Sequence, residues 1–170
     1  MIQEQMQEGR FDFMSACDKA FVIQMTEALA AQGYTYGDTI GDGICWGRYM
    51  LIFCKAGAKS KKVAARIYIR EDSVAFRLFL SDVTSHAAFI THAPPYIQEV
   101  FVGPQGNCKH CRGTHCQFQK SYEINGVKIE KCNGETFTFA NAQVEQIPDL
   151  IALFRAFYAP KRRPAKPSCV

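Results

Sequence analysis

Cys108, Cys111, Cys116 and Cys132 fall within residues 107–133 (NCKHCRGTHCQFQKSYEINGVKIEKCN), with two, four and fifteen residues between them. Thiolate is a favoured ligand of zinc, and four thiolates complete its tetrahedron. A Cys-x-x-Cys pair closes on one ion through a tight turn. Cys116 returns from the same loop, and Cys132 has to arrive from a second element. The spacing therefore predicts a Zn2+ site, structural rather than catalytic because four protein ligands leave no open position. His110 and His115 share the loop. Each either replaces a cysteine, hydrogen-bonds to a thiolate, or is plain loop polarity. An iron–sulfur cluster is the rival, but its plant-type spacing runs four then two. A redox pair at Cys108 and Cys111 leaves Cys116 and Cys132 without a role.

A second set of residues carries binding chemistry. Residues 63–70 (VAARIYIR) and 73–80 (SVAFRLFL) alternate with the period of a half-buried strand. Val63, Ala65, Ile67 and Ile69 share one face, and Arg66, Tyr68 and Arg70 the other. In the next run Val74, Phe76, Leu78 and Leu80 oppose Ala75, Arg77 and Phe79. One sheet face is thus apolar and packs on helices, while the other mixes arginines with aromatics. With Trp46 and Arg48 from the preceding run, Arg66, Tyr68, Arg70 and Arg77 form a candidate site for an anionic or aromatic small molecule. The bland alternative is a solvated sheet face.

Other candidates carry less. Asp82, His86, His92 and Glu99 lie on or near the middle helices, but His86 and His92 are six apart and do not share a helix face. No nucleophile elbow, His-Glu-x-x-His or paired-carboxylate motif is present, so an enzyme is the least supported class. Gly41-Asp42-Gly43 reads as a turn, since no phosphate-loop pattern completes it.

The elements that must position these residues read as an α+β domain with an antiparallel sheet and flanking helices, a small zinc-bound β-hairpin module and a closing C-terminal helix. Residues 1–10 are expected to be frayed or a weak helix start. Asp12 or Ser15 caps a helix to about Ala31, buried through Phe21, Val22, Met25, Ala28 and Leu29 and ended by Gly33. Residues 44–54 (ICWGRYMLIFC) read as a first strand, apolar on both parities and therefore open in register. Residues 82–102 read as two helices parted at Pro94-Pro95, with Pro95 opening the second. Strands at 117–124 and 127–132 are joined by Asn125-Gly126, a strong hairpin signal because both residues tolerate positive φ. That hairpin returns Cys132 beside the cysteine loop. Residues 136–139 read as a third strand, and a helix spans about Ile147 to Tyr158. The division is 1–103 as a helix-and-sheet region, 104–159 as the hairpin module with the closing helix, and 160–170 as a basic disordered tail.

Composition sets bounds. The chain has 170 residues, 48% of them hydrophobic and 21% charged, enough apolar material for a core without disulfides. Cys17, Cys45 and Cys54 are expected as small core side chains, and Cys169 as a free thiol in the tail. The polar, acidic start MIQEQMQEGRFDF is no secretory signal, and no apolar run reaches a membrane span, so a cytoplasmic protein is expected. Lys161, Arg162, Arg163 and Lys166 supply the net charge of +4: without them 20 basic residues become 16, against 16 acidic. A neutral body argues against a large nucleic-acid footprint.

The Cys-x-x-Cys loop with a hairpin bringing in the last cysteine resembles a zinc-ribbon or zinc-knuckle site. Residues 82–158 resemble an uncharacterised family of small bacterial proteins. The likeness lies in the Cys-x-x-Cys loop, the Lys-Cys-x-Gly-x-x-Phe-x-Phe strand at 131–139 and the Ile-Pro-Asp start of the last helix. It implies no activity. The order of elements in the front half is distantly similar to small gyrase-inhibitor-like ligand-binding domains. The expected function is a ligand-binding or sensing module with a structural four-cysteine zinc. The alternative is a nucleic-acid or protein interaction module using the zinc hairpin and the basic tail.

Overall fold

The computed structural model describes residues 1–59, 61–103, 119–132 and 135–158. Cys108, Cys111, Cys116, His110, His115 and the tail at 160–170 lie outside them. The fold is α+β, an antiparallel sheet with its helices on one face and a separate two-stranded hairpin.

The chain opens with a short helix α1 (Ile2–Gln5), where a frayed end or a weak helix start was expected. Its start is pinned because Ile2 and Met6 turn into the core with Phe11, and Met6 and Phe11 are fully buried. Helix α2 (Ala16–Ala31) begins at Ser15, whose hydroxyl accepts from the Asp18 N–H at 3.0 Å, and Gly33 follows its end with φ +81°.

Short strands β1 (Tyr34–Thr35) and β2 (Gly41–Asp42) both pair with β3 (Tyr49–Lys55). The expected strand at 44–54 is corrected here. Ile44–Trp46 form a 3-10 turn, and the strand starts only at Tyr49. The glycines explain the break: a Cβ on Gly43 would stand 2.3 Å from the Gly47 carbonyl oxygen, and one on Gly47 2.6 Å from that of Ile69. The chain folds tightly over itself at that point before it can extend.

Strands β4 (Val63–Ile69) and β5 (Val74–Phe79) follow as antiparallel neighbours. Two helices, α3 (Ala87–His92) and α4 (Pro95–Val102), part at Pro94 with Pro95 in the first turn of the second. Strands β6 (Gln119–Ile124) and β7 (Val127–Cys132) form the hairpin around Asn125 (φ +53°) and Gly126 (φ +74°). Strand β8 (Thr136–Phe139) leaves the hairpin and pairs with β5, completing the order β1-β3-β4-β5-β8. Helix α5 (Ile147–Tyr158) closes the chain.

Registers bring the apolar residues into cross-strand rows. Leu51, Ile67, Phe76 and Phe139 form one, and Phe53, Ala65, Leu78 and Phe137 the next; all are buried. Phe21 of α2 meets Phe76, Phe101 of α4 stacks on Phe137 at 4.3 Å, and Phe154 of α5 meets Tyr34 at 4.8 Å. The helices therefore cover this face, and the front and rear parts of the chain share one core. The cysteines expected in that core are not there: Cys17 and Cys45 are exposed and Cys54 is half-buried, all three as free thiols. Cys17 lies off the buried stripe of α2, Cys54 is on the β3 face away from Phe53, and Cys45 is in the 3-10 turn.

The hairpin is tied to the rest by Tyr122, whose hydroxyl donates to the Phe101 carbonyl, and by Thr91, which bonds Asn125 at 3.0 Å. Burial pushes the Tyr122 phenol up to about 12, above the ordinary value of about 10. An acid raised in the folded state stabilises fully below the unfolded value, and that contribution is lost as pH rises from about 10 to about 12.

Two outcomes are expected. Met6→Ala should cost about 2–5 kcal/mol in urea unfolding, as for other buried methionines; a change inside error would return the N-terminus to a frayed end. Tyr122→Phe should cost about 1 kcal/mol at neutral pH and flatten part of the fall in stability above pH 10. Unfolding curves measured at several alkaline pH values check this, and an unaltered pH slope would exclude Tyr122 as a contributor.

Candidate functional site

The site is built on the face of the sheet away from the helices. The row Ile52, Arg66, Arg77 and Thr138 crosses β3, β4, β5 and β8, with Met50, Tyr68 and Ala75 in the adjacent row. Arg66 and Arg77 are thus direct cross-strand partners. Like charges placed this way repel.

Neutral groups, not carboxylates, answer the charge. The Arg77 Nε donates to Thr138 Oγ1 at 2.8 Å, and one terminal nitrogen donates to the Tyr68 hydroxyl at 3.3 Å. Arg66 donates to the same hydroxyl at 3.3 Å and lies over the Phe79 ring at 5.2 Å. The Arg77 guanidinium lies against two aromatic rings, 3.9 Å from the Trp46 centroid and 5.0 Å from that of Tyr68, and the two ring centroids are 6.1 Å apart. Such stacking favours a cation. Among the described residues no acid forms an ion pair with Arg66, Arg70 or Arg77. The Arg66 Nε is buried with no acceptor among those residues. Burial lowers the Arg77 pKa from its ordinary value; Tyr68 opposes this, and the charges of Arg66 and Arg70 add to it. Arg77 is only 7% exposed.

Trp46 is carried by the 3-10 turn. The Gly43 N–H donates to the Arg48 carbonyl at 3.0 Å, the Trp46 N–H to the Gly43 carbonyl at 3.1 Å, and the Arg48 N–H to the Ile69 carbonyl at 2.7 Å. The Gly43 N–H is thereby used inside the turn; the turn expected at residues 41–43 is corrected, since Gly41 and Asp42 pair with Met50 and Tyr49 as β2. Arg70 Nε clamps the Trp46 carbonyl at 3.2 Å. Ile44 takes φ +55°, a left-handed conformation rare for a β-branched residue, and is 82% exposed. Arg48 stands apart from the central cluster: it pairs with Glu71 at 3.2 Å and lies over Phe13 at 4.4 Å. The structure thus gathers Trp46, Arg66, Tyr68, Arg70 and Arg77 and puts Arg48 at their edge.

The remaining candidates do not converge. His86 stacks on Phe157, His92 Nδ1 contacts the Ala88 carbonyl, and Asp82 accepts from Ser85. Among the described residues no three His, Cys, Asp or Glu side chains cluster to hold a metal. Cys132 pairs with Gln119 across the open end of the hairpin. Lys131, not singled out from the sequence, is 2% exposed, donates to the Val100 carbonyl and lies 4.4 Å from the Phe137 ring centroid. Burial lowers its ammonium to about 7. Strand alternation alone could have placed it on the face of Ile129, yet a lysine there reads as solvated.

A double-mutant cycle on Arg66→Met and Arg77→Met should return an unfavourable coupling of about 0.2–1 kcal/mol in the free protein, shrinking as salt is added. A favourable coupling would mean that the pair stabilises the sheet rather than straining it.

No helix among the described residues is long and apolar enough to cross a membrane. No family model, curated protein or solved structure matches the chain.

Proposed function

We propose that this protein is a small-molecule binding module whose recognition face is the sheet surface of Arg66, Tyr68, Arg70 and Arg77 with Trp46, and whose ligand is anionic. The observation that carries the reading is the cross-strand pair of Arg66 and Arg77 with no carboxylate among the described residues to answer it. A buried ion without a counter-ion costs several kcal/mol, and the like charge of the half-buried Arg66 beside Arg77 adds to that cost. A purely structural sheet would be more stable with apolar residues in this row. An incoming anion supplies the missing charge.

The test uses Trp46, the sole tryptophan. Its ring lies against the Arg77 charge, so an anion bound there alters its emission. Titration with phosphate, sulfate, citrate, benzoate and mononucleotides should give a saturable change for at least one, lost in Arg77→Met. Silence across the whole panel would remove the proposal. Binding of oligonucleotides that is insensitive to Arg77→Met but lost on deleting residues 160–170 would favour the tail as an interaction element instead.

The second part of the proposal is a structural Zn2+ held by Cys108, Cys111, Cys116 and Cys132. The ligand spacing supports it, and so does the hairpin register, in which Cys132 lies opposite Gln119, three residues beyond Cys116. Elemental analysis should give one zinc per chain with no visible absorption of an iron–sulfur cluster. Cys132→Ser should weaken retention and lower amide protection in β6 and β7. Metal-free protein with its cysteines paired as disulfides would overturn the site.

A further inference from the structure

We infer that the ligand is a compact aromatic carrying a single carboxylate, its ring stacked on the exposed side of Trp46 and its carboxylate held by Arg70. The inference rests on the anion-binding reading above but places the charge at the Trp46–Arg70 edge of that face, because Arg66 and Arg77 do not line the depression beside Trp46.

Three observations lead there. First, the Trp46 ring is not fully covered: Arg77 lies over it at 3.9 Å and the Tyr68 ring meets it at 6.1 Å, yet 44% of the residue is exposed. The exposed part lines an open depression of about 500 Å3 together with Ile44, Arg48, Arg70, Glu71 and Asp72. That volume suits one ring system with a small substituent. A guanidinium on one face draws electron density from the indole, which favours an electron-rich or anionic aromatic on the other.

Second, the charges of the depression select for a single negative charge. Arg48 is already paired with Glu71 at 3.2 Å. Arg70 spends its Nε on the Trp46 carbonyl, and among the described residues no ion pair engages its terminal nitrogens. One guanidinium edge is therefore available, and a carboxylate is the planar anion that matches it. Glu71 and Asp72 stand on the same rim, so the depression carries no excess positive charge, and a ligand with one negative charge meets less repulsion there than one with several. A polyphosphate or nucleic-acid backbone would bring further negative charge against those acids.

Third, the platform is built before the ligand arrives. Gly43 and Gly47 admit the close backbone packing of the turn, three backbone hydrogen bonds fix it, and Arg70 holds its last carbonyl. Stacking on a ring already fixed in place avoids much of the ordering cost of binding. The left-handed Ile44, turned outward at the mouth of the depression, is strain maintained at this one edge of the sheet.

Four probes separate the possibilities, with binding read from the Trp46 indole N–H in NMR spectra of the full chain. They are 2-naphthoate, cyclohexanecarboxylate, 2-naphthalenemethanol and inorganic pyrophosphate. The expected result is that 2-naphthoate binds about ten-fold tighter than each of the other three. Trp46→Leu should remove that preference for an aromatic over an alicyclic carboxylate. Arg70→Met should weaken 2-naphthoate about ten-fold or more, and Arg70→Lys should restore only part of the loss, since a lysine keeps the charge without the planar fork. Equal affinity for the aromatic and alicyclic carboxylates, or unchanged binding in Arg70→Met, would overturn the inference. Pyrophosphate binding more tightly than 2-naphthoate, with loss in Arg77→Met, would overturn it while leaving the anion reading intact. No response to any anion would overturn both.

Discussion

The pairing of β4 with β5 is the constraint on which the rest of the structure turns. These two central strands must present Ile67, Phe76 and Leu78 to the helices, and strand geometry then commits Arg66, Tyr68 and Arg77 to the reverse face. On an ordinary half-wet sheet, long side chains there would reach water. Here Tyr68 and Ala75 are fully buried and Arg77 nearly so. The arginines are held at the sheet by what surrounds them: the Trp46 ring from a glycine-bounded turn, the Tyr68 hydroxyl from the neighbouring row, and Thr138 from β8. Elements far apart in sequence thus meet around one guanidinium. The stack offsets part of the desolvation of Arg77, but aromatic faces contribute about 0.5–2 kcal/mol each and carry no net charge. The excess positive potential stays in place.

The chemistry of the two buried cations sharpens this point. Among the described residues, Lys131 and Arg77 are both answered by an aromatic face and neutral oxygen acceptors, with no acid paired to either. Burial carries the lysine to about 7, within reach of neutrality, so a neutral amine is one way to relieve its desolvation. A guanidinium has no such escape at physiological pH. The same environment that makes Lys131 adjustable therefore leaves Arg77 a fixed cation. A counter-charge, if it comes, has to come from outside the described fold.

Much of this was legible where the signal is local. Asp12 and Ser15 announced a helix start near them, with Ser15 the cap in the structure, Pro95 a helix reopening, Asn125-Gly126 a hairpin, and the period of residues 63–80 the two faces of the sheet. In each case the deciding physics lies within a few residues. What was not legible depends on contacts distant in sequence. The turn at Ile44–Trp46 was hidden because its residues are apolar and look like strand; only the approach of the Gly47 and Ile69 backbones, set by tertiary pairing, forbids extension there. The order of the sheet gives β8 to β5 although the hairpin is nearer in sequence. The exposure of Cys17 and Cys45 reflects which face each element turned inward, and a cysteine signals that weakly in either direction. At the candidate site the residue types and their common face could be read, but not that the Trp46 ring lies on Arg77.

The position of the hairpin gives the cysteine loop a mechanical meaning. A lone two-stranded ribbon is marginally stable in water. At its turn end Asn125 is held by Thr91, and nearby the Glu123 N–H donates to Thr84 Oγ1 at 3.0 Å, while Tyr122 and Ile124 enter the core. At the opposite end Gln119, Lys120 and Ser121 are all exposed, and the strand pair finishes at Gln119 and Cys132. Core packing thus secures the turn end, while at the other end the β6 residues are exposed and Lys131 of β7 is buried against Phe137. A cross-link adds most where packing adds least, and the proposed zinc would close the ribbon at that exposed end. The metal would then act as a clasp for β6 and β7, and β8 could continue from a fixed Cys132 into its place beside β5. On this reading the four cysteines and the arginine face are connected through the sheet: the clasp sets where β8 begins, and β8 carries the Thr138 that orients Arg77.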